Sequence, residues 1–245
     1  MLKKELIGIV TDFRAHPFWV YKEIDKYMVP NQFTMSYLIK EGVSPEKIYI
    51  TGIPVDLRFT ESYDKIKLRD KFHLDHNRFT ILLMGSWLDI GIDTLFEFLN
   101  ETSLPIQVIA VSGKNKNLQE RLEKIRDKAS IPVIVFGFIN NVYEMMYSSD
   151  MIITKPGGLI SSETLAAGLP MIIVNPIPGQ EEFNALYLVT EGAGIRVNKL
   201  GDVPIIVELL LNHPERISEM SNNARRIGRP RASFDIAEII LCGKD

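Results

Sequence analysis

The stretch richest in potential chemistry is Thr154-Lys155-Pro156-Gly157-Gly158-Leu159-Ile160-Ser161-Ser162-Glu163. An apolar run ends, two glycines remove Cβ atoms, and a helical pattern begins. Free backbone amides and the positive end of a helix suit a phosphate or diphosphate. Lys155 adds charge, and Leu159 and Ser162 belong to the same turn. Glu163 falls one turn into the helix, where a carboxylate can accept hydrogen bonds from two vicinal ribose hydroxyls. The same residues also satisfy a plain strand-to-helix turn, with Glu163 favouring the helix dipole.

The next such turn, Pro176 to Asn184, is more polar than a connector requires. Gln180, Glu181 and Asn184 fall on the first turn of a helix and offer donors and acceptors for several sugar hydroxyls. Acid enrichment at a helix start is the alternative. Two earlier turns, Met84-Gly85-Ser86-Trp87 and Ser112-Gly113-Lys114-Asn115, can each bring backbone amides to a sheet edge, the second with a cation. Phe138 and Ile139 follow another strand and can flank a flat base or fill a core. Near the start, Asp12 and His16 follow a strand beside Phe18 and Trp19, either as an acceptor-side polar site or as a hydrogen-bonded turn cap. The four histidines are scattered and Cys242 has no CxxC partner, so no metal set is expected.

These turns need a scaffold that brings them to one edge. Short Ile/Val/Leu runs at 80–84, 106–111, 132–135, 151–154 and 171–174 alternate with helical patterns. That alternation predicts a parallel sheet covered on both faces, and hence a doubly wound lobe. Ligands then gather beyond the carboxyl ends of the strands. Ahead of it, 6–10 and 48–50 read as strands and 33–40 as a helix. Three helical patterns, at 203–211, 214–227 and 233–241, close the chain. The division expected is an N-terminal segment over 1–60, a linker over 61–79, a Rossmann-type lobe over 80–230 and a C-terminal helix over 231–245. With 245 residues, 46% apolar and 24% charged, the chain has ordinary globular composition, and a net charge of −3 argues against nucleic acid. No apolar run approaches the roughly 20 residues of a membrane span.

Taken in order, Thr11-Asp12-Phe13 with His16 and Trp19, Thr51-Gly52-Ile53-Pro54, Ser112-Gly113-Lys114-Asn115, Gly137-Phe138-Ile139-Asn140, the Lys155–Glu163 turn and Gly179-Gln180-Glu181-Glu182-Phe183-Asn184 resemble the processive diacylglycerol glycosyltransferases and monogalactosyldiacylglycerol synthases. These are related to the enzyme that forms lipid II. The resemblance implies a GT-B-like α/β fold, with a complete C-terminal Rossmann-type lobe and a partial N-terminal lobe. It implies a UDP-glucose or UDP-galactose donor, a diacylglycerol-type acceptor and no bound cofactor. Ile139 would meet uracil through its backbone, Glu163 the ribose, Gly157-Gly158 the diphosphate, and Gln180 and Glu181 the sugar. The sequence departs from the family at Trp87, bulky beside a phosphate, and at Ile160, where a small hydroxyl residue is typical. It also lacks the family's Gly- and His-containing acceptor loop, so the expectation is a truncated or split form, inactive without an N-terminal half or partner chain. A cytoplasmic protein, peripheral on the inner face of the membrane, follows from the resemblance. The alternatives are a non-catalytic nucleotide-sugar-binding module and a sugar-nucleotide epimerase of similar fold.

Overall fold

A computed structural model describes residues 5–85 and 91–242. Two parallel sheets carry the fold. The larger is built from β4 (Phe79–Met84), β5 (Ile106–Val111), β6 (Val133–Phe136), β7 (Met151–Thr154), β8 (Met171–Val174) and β9 (Gly194–Val197), in the order β6-β5-β4-β7-β8-β9. Side chains alternate across each strand. Along β4, Ile81 and Leu83 enter the core beneath α3 (Ile92–Asn100), α4 (Lys116–Arg126) and α8 (Val203–Leu211). Leu82 enters the opposite core with Met145, Leu165 and Leu188. Burial on both faces is why these strands read as unbroken apolar runs.

The chain winds outward from β4 to β6 and then returns to β7 on the other side of β4. Loops leaving β4 and β7 therefore diverge, which opens a crevice at the switch point. The helix after β7, α6 (Gly158–Ala166), starts at the second glycine of the turn, because Gly157 is extended and caps it. The helix after β8 is α7 (Gln180–Thr190).

The smaller sheet holds β1 (Ile7–Ile9), β2 (Lys26–Val29) and β3 (Ile48–Ile50), in that order. Helix α1 (Gln32–Lys40) is capped by Asn31, whose Oδ1 accepts from the Thr34 amide at 2.8 Å. The last helix, α10 (Ala232–Cys242), returns to this sheet and packs Ile236 and Ile239 on Met28. Gly52 lies at φ +93°, and a Cβ there would stand 2.4 Å from Arg229 Cβ; only glycine allows the returning segment so close.

The 61–79 segment is docked, not loose. It contains α2 (Lys65–Lys71), whose buried Arg69 reaches the Ser148 carbonyl at 3.1 Å, Thr80 Oγ1 at 2.9 Å and Asp150 at 2.6 Å. β2 and β9 were not expected. Each is four residues long; β9 opens on glycine and carries an exposed Arg196, which pairs with Glu182 on α7. No helix among the described residues is long and apolar enough to cross a membrane.

Candidate active site

The loops after β4, β5, β6 and β7 meet the first turn of α7 and the Thr11–Asp12 loop around a cavity of about 1010 Å³. Gly85, Gly113, Lys114, Asn115 and Phe138 form one side. Lys155, Gly157, Gly158, Leu159 and Glu181 form the other, and Asp12 closes the wall from the smaller sheet. Ser86 and Trp87 lie outside the described residues. Met84, Thr154 and Ile160, which the sequence placed in these turns without assigning any of them a ligand contact, also face the space. Thr154 Oγ1 donates to the Met84 carbonyl at 3.1 Å and so ties the two diverging strands at the crevice mouth.

Charge in this cavity is asymmetric. Lys155 is only 9% exposed, and among the described residues its ammonium has no ion-pair or hydrogen-bond partner. A buried, unpaired cation is costly unless an anion completes it. It stands at the start of α6, whose first-turn amides lack helical acceptors. Lys114 lies 5.1 Å from the Phe138 ring centroid, across the mouth of the cavity. Asn115 caps α4 by accepting from the Leu118 amide at 3.0 Å. The arrangement can hold a dianionic group at the α6 end and a flat or sugar-like group toward the aromatic and Glu181 sides.

The two glycines serve different ends. A Cβ on Gly157 would make only an ordinary van der Waals contact, 3.6 Å from Ile160 Cγ2. A Cβ on Gly158 would sit 1.8 Å from the Thr11 carbonyl oxygen, which is backbone and cannot step aside. Gly158 is thus required for the Thr11–Asp12 loop to lie on α6, a reason beyond phosphate binding. Gly158→Ala is expected to destabilise the protein by at least roughly 1–3 kcal/mol, as overpacking does. Urea unfolding measures this, and an unchanged midpoint would contradict the packing.

Glu163 is half-buried, and its pKa is raised to about 7, first by burial and then by the Asp56 carboxylate nearby. It does not line the main cavity. Its surroundings include the segment where Arg58, paired with Asp56 at 2.6 Å, also donates to the Asn140 carbonyl at 3.1 Å. Arg58 therefore links the inter-sheet connection to the loop carrying Phe138 and Ile139, a contact no sequence signal announced. The Ile139 side chain packs on the core instead of lining the cavity.

Four expected site residues are placed otherwise. Asn184 is fully buried and spends its amide on Phe13, Asp12 and Pro156, so it is not a sugar contact. Ser162 is buried against Phe13, Gly52 and Ile53, between the sheets. Gln180 is exposed and off the cavity wall, whereas Glu181 faces it while accepting from the Ile177 amide at 2.7 Å. His16 is exposed and off the wall too; its Nδ1 accepts from the Phe18 amide at 3.2 Å, capping its own turn instead of pairing with Asp12.

Comparison with known proteins bears on the family and the fold. Residues 2–55 match the monogalactosyldiacylglycerol (MGDG) synthase family model, and residues 92–234 match the glycosyltransferase family 28 C-terminal domain. A processive diacylglycerol beta-glucosyltransferase of Bacillus licheniformis is 34% identical over 236 residues, covering 96% of this chain and 60% of that protein. The chain thus spans about 60% of the length of this curated relative. Among solved structures, MurG of Acinetobacter baumannii superposes with a TM-score of 0.72 at 16% identity, over 98% of this chain and 67% of that one. Anabaena HepE in complex with UDP and glucose gives 0.64 at 15%, over 97% and 72%. The UDP-GlcNAc 2-epimerase of Neisseria meningitidis, bound to UDP-GlcNAc, gives 0.69 at 18%, over 97% and 69%. These structural likenesses establish the GT-B-like fold. With the family 28 C-terminal domain matched over most of the larger lobe, the chain belongs to the family 28 glycosyltransferases.

Proposed function

We propose that this chain is the donor-binding part of a glycosyltransferase that moves a hexose from UDP-glucose or UDP-galactose to a diacylglycerol-type lipid. The observation that carries the reading is Lys155, a buried residue whose ammonium has no partner among the described residues, at the head of α6 in a cavity large enough for a nucleotide sugar. In the reaction an acceptor hydroxyl attacks the anomeric carbon while the bond to the diphosphate breaks. Negative charge grows on the departing UDP, where Lys155 and the α6 amides meet it. Phe138 flanks the base and Glu181 faces the hexose; Glu163, off the wall of the lined cavity, is assigned to the ribose on the condition that the nucleoside extends beyond that wall toward it. The B. licheniformis relative, by its name, acts on diacylglycerol. A lipid acceptor also suits the exposed Phe18, Trp19 and Tyr21, which fit a peripheral position on the inner face of the membrane. An epimerase reading is less favoured: among the described residues, Asp12 and Glu181 are the carboxylates that line the cavity, and no described histidine does.

Neither acceptor-side candidate is set up as an acceptor base: His16 is off the cavity wall, and Asp12 lies on the donor side. His16 caps its turn, and one Asp12 oxygen is held by Asn184. The base is therefore assigned to an N-terminal lobe, on the same polypeptide or on a partner chain. With radiolabelled UDP-glucose or UDP-galactose and diacylglycerol micelles, residues 1–245 alone should give little transfer, and adding the N-terminal half of a full-length relative should restore it. Robust transfer by residues 1–245 alone would return the base to Asp12 or His16. No transfer to any lipid in either arrangement would overturn the enzyme reading in favour of a nucleotide-sugar-binding module.

A further inference from the structure

Asn184 was expected at the sugar, and its burial raises the question of what it serves. Its Oδ1 accepts from the Phe13 amide at 2.8 Å, and its Nδ2 donates to the Pro156 carbonyl at 2.9 Å and to Asp12 Oδ1 at 2.9 Å. Three residues of α7 grip the same loop: Phe183 lies 3.8 Å under the Arg14 guanidinium, Asn184 holds Asp12 and Phe13, and Tyr187 stacks on Phe13 with centroids 4.7 Å apart. From the other side, Thr34 Oγ1 donates to the Phe13 carbonyl at 2.8 Å. The loop is clamped on both faces, and Gly158 leaves it room to touch α6.

The clamp fixes one oxygen of Asp12. Its second oxygen has no partner among the described residues, and the residue lines the donor cavity. A carboxylate this close to the α6 head repels phosphate, so it fits a neutral hydrogen-bond donor just beyond the diphosphate. Glu181 reaches the same cavity from one turn before Asn184 on α7.

We propose that Asp12 accepts a hydrogen bond from a hydroxyl of the donor hexose, and that Asn184 is the positioning residue that aims it. The inference rests on the donor-site reading above. It makes the N-terminal segment a reader of the donor sugar, so that hexose recognition requires the two sheets to be closed on each other.

The test compares UDP with UDP-glucose and UDP-galactose by calorimetry on the 245-residue chain. Asp12→Asn keeps the volume and the link to Asn184 but removes the charge. It should lower the affinity for the preferred UDP-hexose, relative to UDP, by about tenfold, with UDP itself unchanged or tighter. Asn184→Ala should shift the same ratio in the same direction and add little in the Asp12→Asn background, since it acts through Asp12. A purely structural Asn184 would instead lower both ligands together. If Asn184→Ala does not fold, Asn184→Ser replaces it. An equal change for UDP and UDP-hexose in Asp12→Asn, or full additivity of the two substitutions, would overturn the proposal. Failure of the wild type to bind UDP at all would overturn the donor-site reading, and this one with it.

Discussion

Glu163→Gln should make the free protein more stable at pH 8 while weakening its hold on UDP. In the folded chain the Glu163 carboxyl keeps its proton up to about pH 7, against 4.5 for an unperturbed group. Between those values the native state binds more protons than the unfolded state, so stability falls as pH rises through that window and levels off above it. The displacement corresponds to a loss of about 3 kcal/mol. Glutamine has no charge to bury and should remove the slope. If the ionised carboxylate accepts two ribose hydroxyls, the same substitution should cost about 1.5–3 kcal/mol in UDP binding. Wild-type affinity should also rise from pH 6 to pH 8 as the carboxyl ionises. Urea unfolding at pH 5 and pH 8, with UDP titrations at each, checks both halves. Equal UDP affinity in wild type and variant would remove Glu163 from the ribose.

Lys155→Met should show the same opposition of stability and binding. Among the described residues the Lys155 ammonium has no ion-pair or hydrogen-bond partner, so replacing it with an apolar chain of similar length breaks no contact, and the free protein should be as stable as the wild type or more so. UDP affinity should fall about 10- to 100-fold, the worth of charge-assisted hydrogen bonds to phosphate. Uridine affinity should hardly change, because uridine carries no phosphate. Parallel loss for UDP and uridine would show that Lys155 shapes the loop and does not meet the anion. Functional groups held at a cost to the free fold are where binding energy is expected to be stored.

Much of the scaffold was legible in the sequence. β3, β5, β7 and β8 coincide with their apolar runs, because strands buried on both faces need nothing but apolar side chains. β2 and β9 escaped notice, since a strand of only four residues that carries a lysine or arginine resembles a loop. The glycine turn and Lys155 were found because backbone chemistry at a strand end is local. What was lost was long-range. Spacing put Gln180, Glu181 and Asn184 at the start of one helix but could not say which face the cavity takes. Asn184 is claimed instead by Asp12, 172 residues away in sequence. Gly158 was read for phosphate alone, because nothing near it in sequence marks the Thr11 carbonyl that packs on it. Arg58 on Asn140 was missed for the same reason.

The most direct test is a calorimetric titration of the 245-residue chain with UDP, uridine and inorganic phosphate at pH 8. Saturable one-site binding is expected for UDP, with uridine weaker by about 10- to 100-fold, the contribution assigned to the diphosphate. Lys155→Met should erase most of that difference. No measurable binding of UDP by the folded wild-type chain, or binding indifferent to the diphosphate, would contradict the assignment of this cavity to a nucleotide-sugar donor.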